Sequence, residues 1–78
     1  GQWEIICILG KGSKKIARFR YRNYNNKKIN ETLLKAGDIA MVPPGCSLAL
    51  LPLISNLQVI EISNKEYSRK NYIKDDLF

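Results

Sequence analysis

The sequence KIARFRYR, residues 15–22, alternates between apolar and basic side chains. Ala17, Phe19 and Tyr21 fall on one side of an extended chain. The arginines fall on the other side, at positions 18, 20 and 22. A period of two residues is typical of a β-strand with one buried face and one wet face. These eight residues therefore predict a half-buried strand.

Turn signals rich in Gly, Pro, Asn and Ser recur along the chain at short intervals. This spacing is typical of a small antiparallel barrel or sandwich, so we expect an all-β fold. The predicted strands are residues 3–9, 15–22, 28–34, 39–42, 48–51 and 57–63. Residues 10–13 are expected to form a hairpin between the first two strands. The tail, about residues 64–78, is expected to be an arm or a short helix.

The chain has 78 residues and contains no histidine. The length indicates a single domain over residues 1–78. The lack of imidazole excludes Ser-His-Asp and Cys-His catalysis within these residues, as well as histidine-ligated metal sites. No apolar run approaches the ~20 residues of a membrane-spanning helix, so no membrane association is expected.

The net charge of +6 is concentrated in residues 1–39, which hold nine basic residues against three acidic ones. A basic surface can bind a polyanion, and a basic β-barrel that binds single-stranded nucleic acid is one alternative function. The strand period argues against it, because it separates Phe19 and Tyr21 from the arginines. A general richness in Ile, Lys and Asn explains the charge without such a ligand, and we favour this explanation over nucleic-acid binding.

Two cysteines, Cys7 and Cys46, are too few to indicate a disulfide framework. Cys7 lies within an apolar run, where a free thiol behaves as a small hydrophobic group. We therefore expect a reduced protein in the cytoplasm. We also expect no cofactor.

The stretch GDIAMVPPG, residues 37–45, resembles the second motif of the cupin superfamily. Gly37, Pro43 and Gly45 match the first part of that motif. The metal-binding histidine of the family corresponds to Leu48 here, and the following asparagine corresponds to Pro52. The resemblance implies a jelly-roll barrel whose usual metal site is missing.

The resemblance extends to both sides of this stretch. Residues 3–12 look like the end of the first cupin motif, with Trp3 in the position of the glutamate ligand. A shift by one residue would instead place Gln2 or Glu4 there. Residues 57–63, followed by Asp75 and Asp76, are similar to the C-terminal part of mannose-6-phosphate isomerase-like cupins. By this comparison the sequence starts partway through a barrel, and cupins commonly form homodimers.

The leading functional hypothesis is a metal-free relative of the sugar-phosphate isomerase cupins. It would bind a small carbohydrate-type ligand or serve as a structural or regulatory module. The ligand site is predicted at residues expected to face the barrel interior, Trp3, Ile5, Cys7, Leu48 and Leu50. An active sugar isomerase or epimerase is a second alternative, and it needs a base such as Glu4, Glu61 or a tyrosine.

Overall fold

The computed structural model describes residues 3–25, 27–63 and 66–73, and these residues form seven β-strands. The strands are β1 (Glu4–Ile8), β2 (Lys15–Asn23), β3 (Ile29–Lys35), β4 (Ile39–Val42), β5 (Cys46–Pro52), β6 (Asn56–Ser63) and β7 (Glu66–Ile73).

The strands make two antiparallel sheets. One has four strands in the order β4-β1-β6-β7, and the other has three in the order β3-β2-β5. The all-β, antiparallel prediction is therefore confirmed. In the parts of the chain that the structure describes, no ladder joins one sheet to the other, so the small barrel-like fold is not closed.

An apolar core lies between the sheets. Strand alternation supplies it from both sheets, as Ile6 and Ile8 of β1 do in one and Ala17 and Phe19 of β2 do in the other. All buried side chains of the described residues are hydrophobic. They are Ile6, Ile8, Ile16, Ala17, Phe19, Leu34, Ala40, Val42, Leu50, Leu57 and Val59.

The predicted alternation in β2 is confirmed. Ala17 and Phe19 are buried and Tyr21 packs against the core. The arginine face of β2 points outward, with Arg18 half-buried and Arg20 and Arg22 exposed. The simple amphipathic interpretation thus accounts for this strand.

The expected hairpin at residues 10–13 is wrong. β1 pairs with β4 and β6, whereas β2 pairs with β3 and β5, so the connection crosses from one sheet to the other. The reason lies in β1, which carries apolar side chains on both faces and takes a central place in its sheet. Both of its edges are then occupied by strands from later in the chain.

The expectation of an arm or short helix at about 64–78 is also wrong where it can be compared. Residues 66–73 form β7, an edge strand paired along its whole length with β6. Its polar composition hides its strand character, because an edge strand keeps much of its surface in water. The rest of that tail, residues 64–65 and 74–78, lies outside the described residues.

The turn between β3 and β4 is fixed by Asp38. The Lys35 amide donates to Asp38 Oδ2 at 2.9 Å, and Lys35 Nζ lies 3.0 Å from Asp38 Oδ1. The backbone of the same turn exchanges hydrogen bonds with Ile8, since the Gly37 amide donates to the Ile8 carbonyl and the Ile8 amide donates to the Asp38 carbonyl. Gly37 has a φ of 89°, a conformation that favours glycine. The turn therefore holds the end of β1 in place.

Replacing Leu57 with Ala should remove a large part of the stability of the fold. Leu57 is fully buried, and a Leu→Ala change in a core costs about 2–5 kcal/mol. A domain of this size has a total stability of about 4–12 kcal/mol. The matched control is Leu33→Ala, because Leu33 is 42% exposed and should cost about 1 kcal/mol or less. Urea unfolding followed by circular dichroism measures both, and equal losses would contradict the described core.

Asp38→Asn should lower the melting temperature at neutral pH. The backbone hydrogen bond from Lys35, followed by the Lys35 side chain, holds the pKa of Asp38 below its ordinary value of 3.8. A lowered pKa stabilises the fold above pH 3.8, and this stability is lost as the pH falls through the folded-state pKa. The difference in melting temperature between the two proteins should therefore shrink on acidification below about pH 4. A difference that stays constant with pH would show that the Asp38 charge contributes nothing.

Candidate functional site

The inner face of the four-stranded sheet changes from apolar to polar at one end. Leu57 and Val59 of β6 face the core, and the same alternation places Glu61 and Ser63 on that face. In β1, Glu4 stands opposite Ser63. The inner face of this sheet therefore continues beyond the apolar core as a polar surface.

β7 completes this polar end. Its register places Ser68 opposite Glu61, Lys70 opposite Val59 and Tyr72 opposite Leu57, all on the inner face. Tyr72 packs against the apolar core as well. The ring of Tyr72 therefore lies where the apolar surface meets the polar one.

A cleft of about 200 Å³ lies at this polar end of the sheet. This is below the volume of about 300–1,000 Å³ typical of sites for drug-sized ligands, so the cleft suits only a smaller molecule. Its lining residues are Glu4, Ile5, Ile6, Glu61, Ile62, Ser63, Ser68 and Lys70.

Both carboxylate oxygens of Glu61 are engaged. The Tyr72 hydroxyl donates a hydrogen bond to Oε2, and Lys70 Nζ lies 3.4 Å from Oε1. The Glu61 side chain is 22% exposed, so it reaches water at the cleft while its position is fixed from two sides. A fixed carboxylate beside an open cleft can accept hydrogen bonds without first being ordered.

Tyr72 is a neutral donor over the physiological range. Burial raises its pKa to about 12, with a further contribution from the hydrogen bond and charge of Glu61 and a smaller one from Glu4. The phenol thus keeps its proton and holds it toward Glu61. Glu4 and Glu61 together give the cleft two carboxylates against the single ammonium of Lys70.

The five predicted ligand residues do not converge on one site. Ile5 borders the cleft, whereas Trp3 is 54% exposed and Leu50 is buried in the core. Cys7 is half-buried, and Leu48 packs against the core from β5. The expected interior orientation of Ile5 and Cys7 is wrong, because Ile6 and Ile8 occupy the inner face of β1.

The residues that sequence reasoning missed in the cleft are mainly those of β7, Ser68 and Lys70. The sequence indicates Glu4 and Glu61 only as possible bases of an isomerase. The alternation of residues 57–63 does place Glu61 on the face of Leu57 and Val59, and this signal was available in the sequence. No sequence pattern places Tyr72 or Lys70 near Glu61, because their positions follow from the pairing of β7 with β6.

The arginine face of β2 is partly neutralised. Glu31 of β3 contacts two of its members, since Arg20 Nε donates to Glu31 Oε2 at 2.6 Å and Arg18 Nε makes a charge contact of 3.1 Å with Glu31 Oε1. The aromatic rings of Phe19 and Tyr21 lie on the opposite face of the strand. Binding of single-stranded nucleic acid uses aromatic rings on which the bases stack, and the rings of β2 do not lie on the arginine face.

Neither a metal cluster nor a membrane-spanning helix is seen in residues 3–25, 27–63 and 66–73. No three Cys, Asp or Glu side chains meet in a way that would hold a metal ion. There is also no helix of sufficient length and apolar character to cross a bilayer.

Comparison with known proteins finds no matching family model, curated protein or solved structure. The cupin resemblance of residues 37–45 and their flanks therefore stays a prediction.

Tyr72 should ionise about two pH units later than an ordinary tyrosine, near pH 12. A raised pKa stabilises the fold below pH 10, the ordinary value, and that stability is lost as the pH rises through the folded-state pKa. Ultraviolet titration of phenolate absorbance should show a late-titrating group that disappears in Tyr72→Phe. In Glu61→Gln the late group should move toward pH 10. Far-ultraviolet circular dichroism confirms that the protein stays folded, and unchanged late titration in Tyr72→Phe would refute the assignment.

Proposed function

We propose that this protein binds a small, uncharged, hydroxyl-rich molecule of the carbohydrate type in the cleft beside Glu61. The observation that carries the proposal is the Glu61 carboxylate, which Tyr72 and Lys70 fix at the open end of the inner face. Hydroxyl-rich ligands need several fixed acceptors and donors within a short distance. The carboxylates of Glu4 and Glu61 are the acceptors, and Ser68 and Lys70 add donors.

The charge of the cleft indicates a neutral ligand rather than a phosphorylated one. Two carboxylates and one ammonium leave one negative charge in excess, which disfavours a phosphate group. A neutral sugar hydroxyl pays no such penalty, and its hydrogen bond to a carboxylate is stronger than one to a neutral acceptor. The cleft therefore suits an unphosphorylated carbohydrate better than a sugar phosphate.

A cupin-like origin is part of the same proposal. The antiparallel two-sheet architecture supports it, as do the turns at the motif glycines. Gly37 and Gly45 both have positive φ, at 89° and 83°, in the turns that precede and follow β4. We also propose a cytoplasmic location, because unpaired thiols such as those of Cys7 and Cys46 persist there.

A second candidate function is sugar isomerisation or epimerisation, and one observation favours it. Glu4 and Glu61, the two carboxylates that such a reaction could use as bases, border the same cleft. Proton abstraction by either would exchange a carbon-bound hydrogen of the sugar with solvent. Incorporation of deuterium into the sugar in D₂O, followed by NMR, would support this function. A sugar that binds without exchanging hydrogen would exclude isomerisation and epimerisation of that sugar and support binding only.

The binding test is an NMR titration of the labelled protein with neutral monosaccharides and with their phosphate esters. Neutral sugars should shift the amide signals of Glu61, Ser68 and Lys70, and the esters should bind more weakly. Glu61→Gln should weaken binding about tenfold or more, since a hydrogen bond to a charged group contributes about 1.5–3 kcal/mol.

Glu31→Gln is the matched control, because Glu31 is a carboxylate on the outer face of the other sheet. It should bind sugars as the unmodified protein does. The proposal fails if no sugar shifts the cleft signals at millimolar concentration, or if the two variants lose binding equally.

A further inference from the structure

The edge strand β5 carries no charged residue. In the described part of the chain β3, β4, β5 and β7 lie at sheet edges, and each of the other three is short or charged. β4 has only four residues, whereas the sequences of β3 (INETLLK) and β7 (EYSRKNYI) both contain acidic and basic residues. β5 (CSLALLP) has seven residues, and its proline stands at the last position. Charges and prolines keep an edge from pairing with another chain, so β5 is the edge best suited to accept one.

The hydrogen-bond register leaves the backbone groups on one side of β5 available. Next to the two ends of the strand, the Gly45 carbonyl and the Leu53 amide both bond to the side on which β2 lies. Hydrogen-bonded pairs of an antiparallel ladder recur at every second residue, so residues 47, 49 and 51 are the ones that bond to β2. The amides and carbonyls of Leu48 and Leu50 therefore point away from β2, where no ladder of the described residues continues the sheet.

Small side chains of β5 lie between this free edge and the arginines of β2. On the outer face of the sheet, Ser47 stands opposite Arg22 and Ala49 stands opposite Arg20. These four residues border a hollow of about 180 Å³. Arg20 contacts Glu31, whereas no carboxylate of the described residues pairs with Arg22. Because serine and alanine are short, the Arg22 guanidinium can reach across the hollow toward the free edge.

Charge selects an acidic partner for this edge. The chain has a net charge of +6, and the outer face beside β5 presents three arginines of β2 against the single carboxylate of Glu31. A second copy would bring the same arginines and be repelled. A strand added beside β5 would lie two strand spacings, about 9.6 Å, from β2. A glutamate on the outer face of that strand and Arg22 can together span this distance above Ser47 and form a charge-assisted hydrogen bond.

We propose that the free edge of β5 binds an extended segment of an acidic partner protein, which adds an antiparallel strand to the three-stranded sheet. In this segment apolar and acidic residues alternate. The apolar side chains face inward beside Leu48, which packs against the core, and the acidic side chains face outward toward Arg22. Backbone hydrogen bonds to β5 provide affinity, and the alternating side chains provide specificity. Antiparallel addition continues the type of pairing found between the described strands of both sheets.

The test is an NMR titration of the labelled protein with a short synthetic peptide of alternating valine and glutamate, blocked at both ends. The amide signals of Leu48 and Leu50 should shift, and hydrogen exchange of the Leu48 amide should slow about tenfold or more. A peptide of the same composition, with its valines and glutamates in separate blocks, should bind about tenfold more weakly. An antiparallel strand bonds to β5 through its inward valines, so N-methylation of the valine amides should abolish binding and N-methylation of the glutamate amides should preserve it.

Arg22→Gln should weaken binding of the alternating peptide about tenfold or more, because it removes the charge-assisted hydrogen bond. Arg69→Gln is the matched control, since it removes the same charge from the outer face of the other sheet and should leave binding unchanged. Both positions are exposed, so circular dichroism should show the native fold.

The proposal is overturned if the alternating peptide does not bind at millimolar concentration, or if the block peptide binds as tightly. It is equally overturned if the two methylated peptides bind alike, or if both arginine variants lose binding to the same extent. Shifts of the Leu48 and Leu50 signals on concentrating the protein without peptide would show that a second copy occupies the edge, and would overturn it as well.

Discussion

The thin apolar core between the two sheets constrains where every polar group of this molecule can lie. Ile6, Leu57 and Val59 are almost completely enclosed, and the buried side chains of the described residues are all hydrophobic. A polar side chain on the inner face is therefore tolerated only where water still reaches it, at an end of the sheet or on its edge strand. Glu61 lies at such an end, two residues beyond Val59 on the same face, and Lys70 lies on the edge strand β7.

Much of the strand content could be predicted, because alternation is a local property of the sequence. The bounds of β4 agree with the prediction, and β2 extends only one residue further, to Asn23. Strand order could not be predicted in the same way, since β1 pairs with segments far along the chain. β7 went unrecognised because its residues Ser68 to Asn71 are polar, which gives an edge strand no apolar signature.

The site was harder to predict than the fold, for a related reason. The expected apolar lining rests on strand alternation around Trp3 and Leu48, and this alternation requires Ile5 and Cys7 to point inward. The register of β1 reverses that assumption, and it brings Glu4 rather than Trp3 to the inner face. Lys70 and Tyr72 reach Glu61 only through the pairing of β7 with β6, which no local pattern encodes.

The central position of β1 has a consequence for how the chain folds. β1 is made before the strands that flank it, and its register partners in β4 and β6 lie more than thirty residues further along. Loops of that length must close before these pairings give any stability, and folds dominated by such contacts form in milliseconds to seconds. During synthesis the apolar segment 5–8 therefore lacks both neighbouring strands until β4 has emerged, and it lacks one of them until β6 has emerged. In that interval it is a ready template for intermolecular pairing, and a chaperone that holds extended apolar segments would protect it.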